Sequence, residues 1–134
     1  MIGLPGGCLK KDLETLKLNI ECRPEYPWVS IFQPYPRTQI AEFCREQKLY
    51  DGSIETIHES FFDSSILKIK NKREIENLQK WFALTTRFPF IFHCGLLKFL
   101  IKVPRFNLVK WLYSWLYKTY RRRCDNNLYG VKLY

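Results

Sequence analysis

The sequence predicts an α/β protein: a partial (β/α) barrel fragment with two parallel strands and their helices, followed by a basic, mostly α-helical C-terminal extension. Two turns lead to this prediction. An apolar start breaks into a glycine-rich turn at residues 3–7, and an amphipathic helix follows. A second apolar segment, residues 28–32, ends in a turn with two prolines. Both turns follow predicted strands, at the ends where parallel α/β proteins bind ligands.

The unit between the two turns has the pattern of a parallel crossover. Residues 8–23 are predicted as a helix, with charged residues such as Asp12 on its outer faces. Two prolines then end this helix. Four of the five residues at 28–32 are apolar without strict alternation, which indicates a strand buried on both faces. The predicted core face of the helix consists of Leu9, Leu13, Leu16 and Ile20.

Three further helices are predicted downstream. Thr38 is expected to cap a helix over residues 39–48. Asn71 and Glu74 resemble a capping box that opens a helix from 72 to about 88. A last helix, from about 106 to 120, has a narrow polar stripe (Asn107, Lys110, Ser114, Lys118 and Arg121). The prediction thus divides the chain into a strand–helix–strand–helix unit at 1–50, an irregular connector at 51–70 and a helical extension at 71–134.

Composition supports a folded chain with one strongly basic half. The 134 residues are 46% apolar and 16% aromatic, which argues against disorder. The net charge of +9 is uneven: residues 1–66 hold seven Lys/Arg and ten Asp/Glu, whereas residues 67–134 hold fifteen and three. An anionic partner would therefore bind the second half.

The cysteines and the apolar segments indicate the cellular compartment in which we expect the protein. Five cysteines, odd in number and widely spaced, fit neither a zinc knuckle nor a disulfide framework, so we expect reduced thiols in the cytoplasm. The N-terminus lacks the basic and apolar regions of a signal peptide. The longest apolar run, residues 88–101, is too short to span a membrane and contains Lys98.

Each turn admits a functional and a plain structural interpretation. Glycines in the first turn let backbone approach a ligand, and the helix N-terminus that follows suits a carboxylate or phosphate. Prolines make the second turn rigid, which would pre-organise contacts from Gln33 and Tyr35. For the first turn, spacing alone favours an ordinary tight connection, because isolated glycine turns are weak motifs. The second turn suits a plain sharp turn equally well.

Considered together, Gly3-Leu4-Pro5-Gly6 and Pro34-Tyr35-Pro36-x-Thr38 resemble the late barrel of radical S-adenosylmethionine enzymes. The likeness is greatest to the branch that often carries an N-terminal cobalamin-binding domain. Its first turn usually reads Gly-Leu-Pro-Gly-Glu-Thr, and its second Pro-Tyr-Pro-Gly-Thr. The chain departs from these patterns at Gly7, Cys8 and Arg37. The likeness covers residues 1–50 and, more loosely, the segment from residue 60 through the helix around residue 81.

The resemblance implies an enzyme with a 4Fe-4S cluster that reductively cleaves S-adenosylmethionine, with cobalamin as a further cofactor in that branch. The family's Cys-x3-Cys-x2-Cys loop is absent from this sequence, so we expect no metal site here and no activity from this chain alone. Its expected partner is the missing N-terminal part of the barrel. The resemblance assigns Gly3, Leu4, Pro5 and Gly6 to the cofactor, and Gln33, Tyr35 and Thr38 to the substrate cavity.

The basic tail predicts a second kind of partner. Cations among tryptophans and tyrosines are typical of a helix that lies on an anionic membrane surface. The rival function is therefore a non-enzymatic membrane-surface module, cytoplasmic and peripheral to the inner face of the membrane. Docking of the apolar face on the missing barrel is the alternative, and nucleic acid is disfavoured because no reading module is visible. The predicted anionic-surface contacts are Lys98, Lys102, Lys110, Lys118, Arg121, Arg122 and Arg123.

The two histidines give weaker signals. His58 lies near Asp51, Glu55 and Glu59 in sequence, a composition that would suit an acid/base or metal cluster, with a solvated polar loop as the alternative. His93 falls within an apolar run and is expected to be a core histidine rather than a ligand.

Overall fold

The computed structural model describes residues 1–50, 64–104 and 107–129, and within these ranges the chain is mostly helical. In the last helix, side chains are described for residue 109 and for residues 111–122. The helices are α1 Leu9–Cys22, α2 Gln39–Glu46, α3 Lys72–Arg87, α4 Phe90–His93, α5 Leu96–Lys102 and α6 Asn107–Tyr129.

The predicted barrel fragment with two parallel strands is wrong. Over the described ranges the extended segments form only an isolated parallel bridge between Ile2 and Ile31. Two hydrogen bonds make it: the Ile2 N–H donates to the Ser30 carbonyl (3.0 Å), and the Phe32 N–H donates to the Ile2 carbonyl (2.9 Å). Gly3 has φ 72°, which ends the extended conformation directly after Ile2, so no ladder can develop.

Helix α3 is the centre of the structure, because α1, α4, α5 and α6 all pack on it. Helices on several sides leave it little solvent-exposed surface, so polar side chains such as Asn77, Gln79 and Thr85 are buried along with the apolar ones. The main core consists of Ile2, Leu16, Ile20, Val29, Ile75, Leu78, Phe82, Ile91, Leu97 and Ile101.

A smaller core lies beside the second turn. It is built from Phe32, Cys44, Tyr50 and Leu67, so it joins α2 and its flanking segments to residues 64–70. The Lys68 N–H donates to the Leu49 carbonyl at 2.9 Å, which fixes this contact. None of the helices in the described ranges is long and apolar enough to cross a membrane.

The predicted helices agree with the structure more closely than the predicted strands do. Periodicity located α1, α2 and α3, and the Thr38 cap is confirmed by its hydroxyl oxygen, which accepts the Ala41 N–H at 3.3 Å. The Asn71 capping box does not form: Asn71 has φ 57° and makes no cap bond, although its amide donates to Glu74 at 3.2 Å. Helix α6 continues to residue 129, beyond its predicted end.

Candidate functional site

The first turn is closed onto α1 by a buried carboxylate. Asp12 is 6% exposed. Both of its carboxylate oxygens accept the Gly3 N–H: the Gly3 nitrogen lies 3.2 Å from Oδ1 and 3.3 Å from Oδ2. Burial raises the pKa of this carboxyl, and the Gly3 hydrogen bond and the chain's N-terminal charge partly oppose that rise. The expected placement of Asp12 on an outer face of the helix is therefore wrong.

The glycines of this turn have different surroundings. A Cβ on Gly3 would lie 3.3 Å from Ile75 Cγ2, so Gly3 faces the core. Pro5 and Gly6 are the central residues of a turn that the Gly7 N–H closes by donating to the Leu4 carbonyl (3.0 Å). Gly6 has φ 72°, and a Cβ added to it would meet no other atom within 4 Å. Of the four predicted cofactor contacts, Gly6 and the exposed Leu4 thus present open surface, whereas Gly3 does not.

The residues of the second turn that are predicted to line the substrate cavity lie partly in the interior and partly at the surface. Gln33 is buried, and its Nε2 donates to the Ser64 carbonyl at 2.7 Å, while its Oε1 finds no donor among the described residues. Tyr35 is about half exposed. Its carbonyl accepts the Thr38 hydroxyl at 2.7 Å, so Thr38 holds the turn as well as capping α2. Of these three residues, Tyr35 alone extends a large side chain towards solvent.

An open cavity adjoins the second turn at the start of α2. Its volume is about 250 Å³. Arg37 lies on its wall in a left-handed conformation, φ 65°, which is strained for any residue with a side chain. The cavity is lined by Pro36, Arg37, Ala41, Glu42, Arg45 and Tyr50.

The parallel bridge sets the relation between the two turns. Because Ile2 and Ile31 run in the same direction, the chain leaves both at the same end of the pair. A Cβ on Gly3 would lie 3.8 Å from Ile31 Cγ2, so the start of the first turn lies beside the end of the second extended segment. Both turns therefore leave the bridge at one end, although the described residues form no sheet there.

The described cysteines do not form a metal site. Cys44 is buried in the smaller core, whereas Cys8, Cys22 and Cys94 are exposed. Within the described part of the chain, no three His, Cys, Asp or Glu side chains come together as metal ligands. His93 is exposed, so its expected core position is wrong. The cluster of Asp51, Glu55, His58 and Glu59 lies outside the described residues.

Helix α6 docks on the body of the protein through tyrosines. Tyr113 is buried, its ring lies edge-on to Trp81 at 5.2 Å, and its hydroxyl donates to the Leu100 carbonyl at 3.0 Å. One turn further on, Lys80 lies 4.9 Å from the Tyr117 ring. The sequence did not distinguish these inward tyrosines from the outward tryptophans, because hydropathy treats both as apolar.

The predicted anionic-surface residues are spread over two helices. Lys98 and Lys102 on α5 and Lys118 and Arg122 on α6 are exposed. Arg121 is partly buried instead, with its guanidinium 4.6 Å from the Trp28 ring centroid. The side chains of Lys110 and Arg123 lie outside the description of α6.

Comparisons with known proteins add no family to this geometry. No family model, curated protein or solved structure matches the chain. A functional interpretation therefore depends on the two turns, the buried carboxylate and the exposed face of α6.

Proposed function

We propose that the chain is the C-terminal part of a radical S-adenosylmethionine enzyme and lines its cofactor and substrate cavity. The observation that carries the proposal is the parallel pairing of Ile2 with Ile31, after which both special turns leave the pair at one end. A helix connects the two extended segments, so the two turns that resemble the family lie at one end of the bridged pair. The proposal concerns the role of the two turns and does not require a barrel within this chain.

Two details of the turns support the proposal. Gly6 leaves open space outside the first turn, so its backbone is accessible to a cofactor. Arg37 has the left-handed conformation that glycine adopts most readily, and glycine is usual at this position in the radical S-adenosylmethionine turn. A left-handed backbone at Arg37 is compatible with the glycine that is usual at this position in the family, and this supports the proposal.

The iron–sulfur cluster does not fit the residues described here. Cluster ligation needs thiolates that converge on one point, and the described cysteines are dispersed between the smaller core and separate surface positions. In the proposal, another part of the enzyme holds the cluster and any cobalamin, and this chain alone is inactive. The chain's own contribution is to position the cofactor at Leu4–Gly6 and the substrate at Tyr35.

The proposal is tested first by the coding sequence upstream of Met1 and then by reconstitution. An in-frame Cys-x3-Cys-x2-Cys loop is expected there. Co-expression of that upstream part with this chain, followed by cluster reconstitution, should release 5′-deoxyadenosine from S-adenosylmethionine. Absence of the loop from the upstream sequence, or no 5′-deoxyadenosine from a folded and cluster-loaded complex, would contradict the proposal.

Matched glycine variants test the cofactor contact. Gly6 and Gly95 both have left-handed backbone, φ 72° and 77°, with nothing within 4 Å of an added Cβ. Gly6→Ala and Gly95→Ala therefore impose similar strain. Only Gly6→Ala should weaken S-adenosylmethionine binding by the reconstituted complex. Equal binding by both variants would remove Gly6 from the cofactor site.

A second candidate function is the non-enzymatic module on a membrane surface, at the inner face of the cytoplasmic membrane. The observation that favours it is the coexistence of exposed tryptophans and exposed cations on α6. The two functions differ in a direct measurement: the module binds vesicles but yields no 5′-deoxyadenosine when it is combined with the upstream polypeptide.

A further inference from the structure

Helix α6 has an inward face that is already occupied. Tyr113, Tyr117 and Arg121 follow one another at intervals of four residues, and they contact Trp81, Lys80 and Trp28 respectively. These contacts account for the docking of α6 on the rest of the protein. A residue on the opposite side of α6 is therefore not needed to hold the helix in place.

The opposite side carries a second row of residues, exposed with respect to the described part of the chain, which we call the outward stripe. It consists of Trp111, Trp115, Lys118 and Arg122, at intervals of four, three and four residues, so these side chains share one helical face. Trp111 is 63% exposed and Trp115 is 52% exposed. Both cations are exposed as well. Two indoles thus precede two positive charges along a single face.

The sequence around the outward stripe is mostly basic, and Asp125 is the acidic residue nearest to it in sequence. Between Asn77 and Cys124 the chain has ten Lys or Arg residues and no Asp or Glu. Lys98 and Lys102 of α5 are exposed as well, and one hydrogen bond, from the Tyr113 hydroxyl to the Leu100 carbonyl, joins α5 to the inward face of α6. The positive charge of this part of the chain therefore favours an anionic partner.

We propose that the outward stripe binds an anionic phospholipid surface, with α6 lying in the plane of the membrane. Trp111 and Trp115 enter the headgroup region, where indoles are favoured, and Lys118 and Arg122 contact lipid phosphates. This inference deepens the second candidate function, on which it rests, and is independent of the first.

Other occupants fit the stripe less well. A second copy of the chain carries the same net charge of +9, so association of two copies is opposed by the repulsion between them. Lysine is depleted in the buried centre of protein interfaces, yet Lys118 follows directly along the stripe from Trp115. A lipid surface accepts both kinds of residue, because indoles and cations there reach different depths.

Vesicle binding by the full chain tests the inference. Wild type is titrated with phosphatidylcholine vesicles and with vesicles of phosphatidylcholine mixed with phosphatidylserine, and binding is followed by tryptophan fluorescence and sedimentation. Binding should require phosphatidylserine and weaken as salt is added. Lys118→Gln with Arg122→Gln should lower the partition coefficient on the order of thirtyfold. Trp111→Ser with Trp115→Ser should abolish the blue shift of the fluorescence.

A double variant on α1 provides the matched control. Lys11 and Leu18 are both exposed on α1, so Lys11→Gln with Leu18→Ser removes one charge and one apolar side chain away from α6. This control should bind like wild type. All variants are first compared by circular dichroism, so that loss of folding is recognised.

The outcomes separate the inference from the function on which it rests. If wild type ignores phosphatidylserine vesicles, the membrane function itself fails. If wild type binds them and the stripe variants bind equally well, the function stands and the outward stripe is excluded. If the stripe variants instead change the oligomeric state in analytical ultracentrifugation while vesicle binding is unaltered, the stripe is a protein interface and the inference is overturned.

Discussion

The Asp12 carboxylate holds the Gly3 N–H with both oxygens, at 3.2 and 3.3 Å, across nine residues of sequence. Gly3 directly follows Ile2 of the Ile2–Ile31 bridge, and Asp12 lies in the first turn of α1. The bond therefore locks the glycine-rich turn between the bridge and the helix. A buried carboxylate in this place makes the geometry of the turn depend on its protonation.

Asp12 should make stability depend on pH. Its pKa is raised above the ordinary value of 3.8, so between 3.8 and the raised value the folded protein binds more protons than the unfolded chain. The free energy of unfolding should therefore fall as pH rises through that window and then level off. Asp12→Asn keeps an oxygen acceptor for the Gly3 N–H but has no carboxyl group to titrate. This variant should therefore lose the pH dependence of the free energy of unfolding that Asp12 causes. Urea unfolding at a series of pH values measures it.

The control separates charge from hydrogen bonding. Asp12→Leu removes the acceptor and should cost about 1–3 kcal/mol, because the buried Gly3 N–H is left without a partner. Asp12→Asn should be at least as stable as wild type at neutral pH. If the free energy of unfolding of wild type instead rises with pH above 3.8, and by more than that of Asp12→Asn, then Asp12 is stabilised as a carboxylate.

Gly3 and Gly6 should respond differently to the same substitution. Both have φ 72°, so alanine at either position costs about 1–2 kcal/mol of backbone strain. Gly3→Ala adds a tight contact, because its Cβ would lie 3.3 Å from Ile75 Cγ2, and Ile75 would have to move by a few tenths of an ångström. Thermal unfolding should therefore place Gly3→Ala below Gly6→Ala. Equal midpoints would show that Ile75 moves aside without cost.

The sequence predicted helices better than extended segments for a physical reason. Leu9, Leu16 and Ile20 repeat at helical spacing, and this local pattern is sufficient to locate α1. A strand also needs a neighbour with extended backbone on both sides of each bridge. Gly3 ends the extended backbone directly after Ile2, and the apolar content of the segment does not predict the left-handed conformation of Gly3.

The site was predicted in part for a related reason. Asp12 lies three residues after Leu9 and four before Leu16, so it belongs to the buried face of α1 even though its charge suggested the outside. The spacing was the available signal. On α6, hydropathy could not separate Tyr113 from Trp111, because only the position of α3 decides which aromatic faces inward.

Asn77 should be important for the end of α5. It is fully buried, and its Nδ2 donates to the Ile101 carbonyl at 2.9 Å and to the Val103 carbonyl at 3.1 Å. Asn77→Ala leaves both carbonyls without this donor and should cost about 1–3 kcal/mol in urea unfolding.

A second asparagine provides the comparison for Asn77. Among the described residues, the Asn19 amide donates to the Thr15 carbonyl of its own helix, at 2.8 Å. Asn19→Ala should therefore cost less than Asn77→Ala. A larger loss at Asn19 would show that the α3–α5 contact does not depend on Asn77.

Thr38 should control the second turn through its hydroxyl. That group accepts the Ala41 N–H at the start of α2 and donates to the Tyr35 carbonyl at 2.7 Å. Thr38→Ala should cost about 1 kcal/mol, as for other N-caps, whereas Thr38→Ser keeps both bonds and should stay close to wild type. Urea unfolding measures both variants. If serine fails to restore the loss, the methyl group of Thr38 rather than its hydroxyl stabilises the turn, and the proposed rigid placement of Tyr35 loses its support.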